Sequence, residues 1–325
     1  MPLTRRHFLF GLAGLSAGGL AGWPPPASAA LRSKRFSALG TSIEFRVFHD
    51  DRRLAGAVST EAAHAVFAVH EAMTLFEPSP LRQVNERGYA EPVAVPRVLF
   101  DLLVRCRELH GETEGLFDVT VGGVMAWRRA LKRGVVTKIP GLFVAASGVG
   151  MDNVELDDRT RTVRLRHPAT KLDLGGVAKG LAVDSAVAVF RSRGVSNVLV
   201  NAGGDIYASG RQDPDSSGWD VDIAAGKNET LQTVTLSDRA VATSGNYQRA
   251  FPHLVDPMGG EAAGRVVSAS VFALDTVTAD AWATAAFVGE PRHVMRLVRA
   301  RQEVEAILVL SDGFVLASSS EVSIR

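Results

Sequence analysis

At 325 residues, the chain is long enough for one large domain or two ordinary ones with an ample core. Apolar residues make up 46% of it and charged residues 22%, a composition typical of soluble globular proteins. The 36 basic and 35 acidic residues nearly balance, which argues against a broad surface for nucleic acid or anionic membrane. The single cysteine, Cys106, excludes an internal disulfide and a thiolate metal cluster, and its apolar helical surroundings predict a core residue.

The first thirty residues are typical of an export signal. The twin-arginine pattern Thr4-Arg5-Arg6-His7-Phe8-Leu9 precedes an apolar run that ends near Gly22, and Ala27-Ser28-Ala29 offers a cleavage site. The apolar run is too short for a comfortable membrane span. We therefore expect residues 1–30 to be a twin-arginine signal peptide and residues 31–325 to be a mature domain in the periplasm. An uncleaved anchor is the alternative.

Hydrophobic periodicity predicts the elements in the first half of the mature chain. Residues 35–48 alternate in part and indicate a strand, while residues 54–76 keep the 3.6-residue period of a helix. The composition of residues 77–85 indicates a loop. The remaining predictions here are a helix at 96–110, a glycine-bounded polar segment at 115–123, a helix through Trp127 and Leu131, and a hairpin at 154–166.

The second half mixes strands and helices without strict βαβ alternation. It begins with a short strand at 171–174, a turn at Gly175 and Gly176, and a helix that runs to about Arg193. Strands are predicted at 197–201, 219–224, 231–236, 240–251 and 265–274, helices at 277–288 and 290–301, and a closing hairpin at 304–317. No stretch has the composition of a linker. We therefore predict an α+β fold in one large domain.

The turn at Gly175 and Gly176 is the first candidate binding site. Paired glycines let the backbone approach a ligand closely, and the free N–H groups at a helix start favour phosphate. Asp173, Lys179 and Asp184 place charges of both signs around the same turn. This combination suits a ligand with phosphates and polar rings near a metal, although a purely structural turn is the alternative.

Asp280 and Thr284 form the second candidate site. They are four residues apart on a predicted helix, so the carboxylate and the hydroxyl share one face. Oxygen donors with small neighbours suit a hard cation such as Mg²⁺. In the alternative interpretation, Asp280 only complements the helix dipole and Thr284 returns its hydroxyl to the backbone.

His253 and Asp256 form the third candidate site, next to Pro257. A histidine and an aspartate held together in an irregular segment can move a proton or orient a nucleophile, and a surface turn with a solvated histidine is the alternative. The other histidines of the mature chain show no metal-ligand spacing, and we expect them at the surface or the core edge.

These signals follow one another as in a known family. The sequence resembles the FAD:protein FMN transferases, the ApbE family of Mg²⁺-dependent flavin transferases, over nearly all of the mature chain. The segments that carry the resemblance are Leu39-Gly40-Thr41, residues 76–85, Phe117 to Gly122 with Trp127, Leu172 to Gly180 with Asp184, Val200 to Asp205, Ala242 to Gly245, His253 to Pro257, and Ala279 to Thr284. Their common order makes the resemblance more specific than any one motif.

The resemblance implies a fold, an activity and a set of site residues. The fold would be a single ApbE-like domain of largely antiparallel sheets with packed helices. The activity would be transfer of FMN from FAD to a Thr or Ser hydroxyl of a target protein, with release of AMP. Mg²⁺ would be held by Asp280, Thr284 and a backbone oxygen of Gly176. The residues implied in FAD binding are Leu39, Phe76, Leu116, Phe117, Asp118, Asp173, Lys179 and Val255.

The resemblance leaves the proton transfer and the acceptor open. We expect His253 to take the proton with Asp256 orienting it, although the opposite assignment is possible. The implied acceptor is a flavoprotein subunit of a membrane electron-transfer complex, and the mature protein itself is not expected to span the membrane or to bind nucleic acid. The alternatives are an FAD-binding carrier or assembly factor, and an FAD pyrophosphatase that yields FMN and AMP.

Overall fold

The computed structural model describes residues 30–133, 140–226, 229–245 and 264–319. In this part of the chain, helices and largely antiparallel sheets combine in an α+β fold, which confirms the predicted fold class. The helices are α1 (Arg52–Met73), α2 (Pro80–Arg87), α3 (Arg97–Glu112), α4 (Gly122–Lys132), α5 (Pro140–Ala146), α6 (Ala178–Ser192), α7 (Thr276–Val288) and α8 (Pro291–Arg299). None of these helices has the length and hydropathy needed to cross a membrane.

The strands are β1 (Ala30–Ala38), β2 (Thr41–His49), β3 (Val93–Ala94), β4 (Val154–Asp157), β5 (Thr162–Leu165), β6 (Val198–Ala202), β7 (Asp205–Ser209), β8 (Trp219–Gly226), β9 (Glu229–Leu236), β10 (Arg239–Gly245), β11 (Val266–Ala273), β12 (Glu305–Leu310) and β13 (Val315–Ala317). The main sheet has the order β1-β2-β6-β7-β10-β11-β12-β13, with antiparallel neighbours throughout. Two smaller antiparallel sheets, β3-β5-β4 and β8-β9, accompany it.

The middle of the main sheet is buried on both faces. Because side chains alternate along a strand, Val198 and Val200 of β6 point into the core formed with α1, α6 and α7, while Leu199 points the other way. There the β8–β9 hairpin covers the sheet with Trp219, whose indole nitrogen donates to the Ser209 carbonyl at 2.8 Å. The middle of the sheet is therefore packed between helices on one face and a hairpin on the other.

Two predictions for the first half of the chain were wrong in instructive ways. The strand predicted at 35–48 is a hairpin, because Leu39 (φ 53°) and Gly40 (φ 71°) turn the chain between β1 and β2. The loop predicted at 77–85 contains α2. The Ser79 hydroxyl caps this helix by accepting the Arg82 N–H at 3.0 Å, and Pro80 occupies the first helical position, where its missing N–H costs nothing.

Most other elements agree with the sequence predictions within a few residues. The predicted hairpins at 154–166 and 304–317 form as β4–β5 and β12–β13, and Cys106 is fully buried, as expected. The strand predicted at 171–174 is reduced to a single bridge between Val121 and Lys171. The strand predicted at 240–251 is β10, which reaches Gly245; its last six residues lie outside the described part of the chain.

Helices α6 and α7 pack with almost no space between them at Gly180. A Cβ atom added to Gly180 would lie 2.5 Å from the Thr276 carbonyl oxygen and 2.9 Å from the Val277 Cα atom. Only glycine fits this contact, because the nearest atoms belong to the backbone and cannot rotate away. The contact therefore fixes the separation of the two helices.

Asp184 adds a polar tie between the same helices. Its carboxylate accepts the Thr276 N–H at 2.9 and 3.1 Å and the Val277 N–H at 2.9 Å, so α6 supplies partners for the free N–H groups at the start of α7. Burial raises the pKa of Asp184 to about 6, against the opposing effect of these hydrogen bonds. The carboxylate therefore makes short hydrogen bonds to α7, but burying its negative charge costs free energy of folding.

The Gly180 contact predicts that Gly180→Ala lowers the free energy of unfolding by about 1–3 kcal/mol, since the added methyl forces the two helices apart. Denaturant unfolding measures the change. Gly56→Ala is the matched control, because Gly56 lies on the exposed side of α1 with no atom within 4 Å, and it should stabilise the protein by up to about 1 kcal/mol. Equal stability of Gly180→Ala and the wild type would contradict the contact.

The raised pKa of Asp184 predicts a pH-dependent stability. A carboxyl whose pKa is higher in the folded state favours folding below its ordinary pKa of 3.8, and this contribution is lost as the pH rises to about 6. The stability of the wild type relative to Asp184→Asn should therefore fall by up to about 3 kcal/mol across this range and then level off. Unfolding of both proteins at several pH values tests this. A constant difference would show that the hydrogen bonds fully offset burial.

Candidate functional site

A single cleft of about 480 Å³ brings together most of the predicted site residues. It opens between the β1–β2 turn, the end of α1, the start of α4, the Gly175–Gly176 turn, β10 and α7. Every predicted FAD and metal residue in the described part of the chain lines it: Leu39, Phe76, Leu116, Phe117, Asp118, Asp173, Gly176, Lys179, Asp280 and Thr284. Residues that are distant in sequence therefore face one space, of the size that small-molecule sites have.

His253, Val255 and Asp256 lie outside the described residues. Their assignments as proton-transfer residues (His253 and Asp256) and as an FAD contact (Val255) stay predictions. The preceding motif, Ala242 to Gly245, forms the end of β10, and its Thr243, Ser244 and Gly245 line the cleft.

The backbone just before the glycine turn is irregular and is held by one side chain and by a neighbouring backbone segment. The Asn85 amide donates to the Leu172 carbonyl at 2.8 Å and accepts the Leu172 N–H at 2.6 Å, so it replaces a neighbouring strand. The Asp173 N–H donates to the Val119 carbonyl at 2.8 Å. These bonds hold residues 172 and 173 in place without a sheet, directly before the glycine turn.

The glycine turn lies against α7. A Cβ atom on Gly176 would lie 2.9 Å from the Thr284 hydroxyl oxygen, so the backbone of the turn and this side chain are in direct contact. Asp280 lies one helical turn before Thr284 and is 2% exposed. The three predicted metal-binding residues are therefore neighbours in the folded chain.

Lys179 lies between two buried carboxylates at the back of the cleft. Its ammonium group hydrogen-bonds to Asp205 Oδ2 and lies 3.3 Å from both Asp280 oxygens, and the Gly180 N–H donates to Asp280 Oδ2 at 3.2 Å. The two carboxylates raise the pKa of Lys179, which therefore stays charged, while burial and the charge of Asp280 raise the pKa of Asp205.

These donors fit a magnesium ion. Mg²⁺ is commonly held by one or two carboxylates, with water and substrate phosphates as further ligands. Asp280 supplies a carboxylate that already accommodates a cation, the Lys179 ammonium, and Thr284 and the Gly176 backbone add hard oxygen atoms. Among the described residues, no three His, Cys, Asp or Glu side chains converge as a self-sufficient metal cluster. A site with few protein ligands, open to phosphate oxygens, matches this arrangement.

Asp118 lines the cleft, but it is buried and has partners within the protein. One of its oxygens accepts both the Thr120 N–H at 2.7 Å and the Thr120 hydroxyl at 2.5 Å, and the other lies 3.4 Å from His110 Nδ1. Burial raises its pKa, and the bonds from Thr120 oppose this. Asp118 also borders a smaller cavity of about 360 Å³, so it stands between two spaces.

Sequence reasoning missed several cleft residues, and two of them can carry positive charge. Arg129 of α4 lies 3.3 Å from Asp173 Oδ2 and is 39% exposed, and His70 lines the cleft near the end of α1. No local motif marks either of them. The positions of Arg129 and Met125, four residues apart on one helix face, become meaningful only once α4 is placed beside the glycine turn.

Known proteins are similar to this chain in sequence and in fold. Residues 39–308 match the sequence profile of the ApbE family. The FAD:protein FMN transferase of Treponema pallidum is 31% identical over 269 residues, covering 75% of this chain and 74% of that protein. Its counterpart from Vibrio cholerae is 28% identical over 279 residues, covering 81% and 83%.

Solved structures agree with the sequence match. A histidine-to-glycine variant of the flavin transferase ApbE from Vibrio cholerae superposes with a TM-score of 0.79 at 26% identity, covering 91% of this chain and all of that one. The ApbE protein of Thermotoga maritima gives a TM-score of 0.77 at 27% identity with the same coverage. Because the match spans the cleft, the glycine turn and α7, the chain belongs to the ApbE family.

Proposed function

We propose that this protein is a Mg²⁺-dependent FAD:protein FMN transferase, which moves FMN from FAD to a Thr or Ser hydroxyl of an acceptor protein and releases AMP. The observation that carries the proposal is the convergence of Asp280, Thr284 and Gly176 beside Lys179 in one cleft. Relatives named FAD:protein FMN transferases support it.

The cleft offers the contacts that FAD needs. Phe76 is 79% exposed at the edge of the cleft, where its ring can stack on the flavin or the adenine. Leu39 and Leu116 add apolar contacts, while the guanidinium of Arg129 can contact the diphosphate. Aromatic, apolar and cationic groups therefore line the same space.

The reaction is a displacement at phosphorus. The acceptor hydroxyl oxygen forms a bond to the phosphorus of the FMN half, the bond from this phosphorus to the bridging oxygen breaks, and AMP leaves with the electron pair. The hydroxyl proton passes to His253, with Asp256 orienting it, or to Asp256 itself. Mg²⁺, held by Asp280, Thr284 and the Gly176 backbone, would offset the charge of the diphosphate.

We further propose that the protein works in the periplasm. The support is the twin-arginine pattern at Arg5 and Arg6 with its short apolar run. An acceptor exposed on the same side of the membrane, such as a flavoprotein subunit of an electron-transfer complex, would be accessible to an exported enzyme.

The test is incubation of the purified protein with FAD, Mg²⁺ and an acceptor domain, followed by mass spectrometry of the acceptor and chromatography of the nucleotides. We expect an FMN adduct on a Thr or Ser and one AMP per adduct. No adduct, under conditions in which an established family enzyme modifies the same acceptor, contradicts the proposal. Bound FAD without AMP would instead indicate a carrier, and FMN with AMP in the absence of acceptor would indicate a pyrophosphatase.

Asp280→Ala is expected to abolish transfer mainly through loss of Mg²⁺, because it removes the charged ligand. The loss at low millimolar Mg²⁺ should exceed the roughly 10–100-fold typical of residues that only support a ligand. Asp222→Ala, which removes an exposed carboxylate on β8, is the control and should leave transfer unchanged. Full activity of Asp280→Ala at low millimolar Mg²⁺ would refute the assignment.

His253→Ala is expected to spare FAD binding and to slow transfer by about 10²–10⁴-fold, as removal of a proton acceptor does. Flavin fluorescence reports binding, and single-turnover formation of the adduct reports the chemistry. If binding and transfer fall equally, His253 belongs with the residues that hold FAD. The same pair of measurements on Asp256→Asn distinguishes the proton acceptor from the residue that orients it.

A further inference from the structure

Asp205 carries a buried carboxyl group that lies behind the cleft and does not line it. It is 1% exposed and is not among the residues that line the cleft, so a ligand there does not reach it. It begins β7, directly after a tight turn at Gly203 (φ 63°) and Gly204 (φ 100°), and the Asn201 side chain accepts the Gly204 N–H at 2.9 Å. The turn thus fixes the backbone from which the Asp205 carboxyl reaches Lys179.

The three charged groups form a chain from the sheet to the cleft. Asp205 is the nearest partner of the Lys179 ammonium, and Asp280 is the next, at 3.3 Å through both of its oxygens. The side chains of Asp205 and Asp280 are 2% and 3% exposed, whereas that of Lys179 is 20% exposed. Water therefore screens these interactions poorly.

We propose that Asp205 is a positioning residue for the metal site: it holds the Lys179 ammonium so that Asp280 keeps negative charge available to a divalent cation. This inference rests on the Mg²⁺ site of the proposed function. With Asp205 in place, the Lys179 ammonium is shared between two carboxyl groups, of which Asp205 is the nearer. Without the Asp205 carboxyl, Asp280 is the one of these two partners left to the ammonium. The ammonium then neutralises Asp280, which must bind the cation.

The position of Lys179 has a second consequence. The ammonium is hydrogen-bonded to Asp205 and lies 3.3 Å from both Asp280 oxygens, so it is near enough to meet a phosphate bound to a cation at Asp280. Asp205 thereby sets the position of Lys179 relative to Asp280 and acts on the ligand only through that side chain.

The test is a double-mutant cycle on metal affinity in the absence of FAD and acceptor. Mn²⁺, which can be counted by electron paramagnetic resonance, serves as the probe, with Mg²⁺ as competitor. We expect Asp205→Asn to weaken Mn²⁺ binding at least tenfold. In a Lys179→Met background, the same substitution should change the affinity less than twofold, because no ammonium is left to position.

Controls separate positioning from folding. Asp222→Asn removes a carboxylate on β8, outside the cleft, and should leave Mn²⁺ affinity unchanged. Thermal unfolding of each variant reports structural damage. A lower melting temperature of Asp205→Asn with unchanged Mn²⁺ affinity, or an equal effect in both Lys179 backgrounds, would overturn the inference.

The outcomes also separate this inference from the proposed function. Coupling between Asp205 and Lys179 in a protein that transfers no FMN would leave the inference standing and reject the transferase. Transfer of FMN without this coupling would support the transferase and reject the inference about Asp205. Failure of the wild type to bind Mn²⁺ at millimolar concentration would reject both the inference and the metal site.

Discussion

The site depends on a buried group of one ammonium and two carboxylates. Lys179 comes from α6, Asp205 from β7 and Asp280 from α7, so this group joins two helices and the main sheet at one point. A buried charge without a partner is strongly destabilising, so each element must reach its place for the group to form. The group is therefore complete only when all three elements are in place.

Around this group, parts of the cleft are backbone segments or helix ends whose N–H and C=O groups have no partner within a helix or sheet. Asn85 takes the place of a missing strand beside Leu172, and Asp184 supplies partners for the first N–H groups of α7. Glycines permit contacts that any side chain would block. Single side chains with many bonds thus give irregular segments the order that a binding site needs.

The sequence predicted secondary structure correctly where the spacing of apolar residues followed a single helical or strand period. Long helices such as α1 and the hairpins at 154–166 and 304–317 follow directly from spacing. The short helix α2 escaped because its capping serine and first-turn proline look like loop residues, and the turn at Leu39 escaped because a leucine seldom adopts positive φ. The motifs predicted which residues share the cleft, but no motif marks Arg129. Asp205 lies at the end of a recognised motif, yet its contact with Lys179 is visible only in the tertiary structure.

The contacts at Gly176 and Gly180 have different consequences for substitution. A Cβ atom on residue 176 would lie 2.9 Å from the Thr284 hydroxyl oxygen, and one on residue 180 would lie 2.5 Å from the Thr276 carbonyl oxygen. The Thr284 side chain can rotate away from an added methyl group, whereas the backbone at Thr276 cannot. A larger residue at 176 would therefore reorient one oxygen donor of the cleft, and one at 180 would change the spacing of two helices.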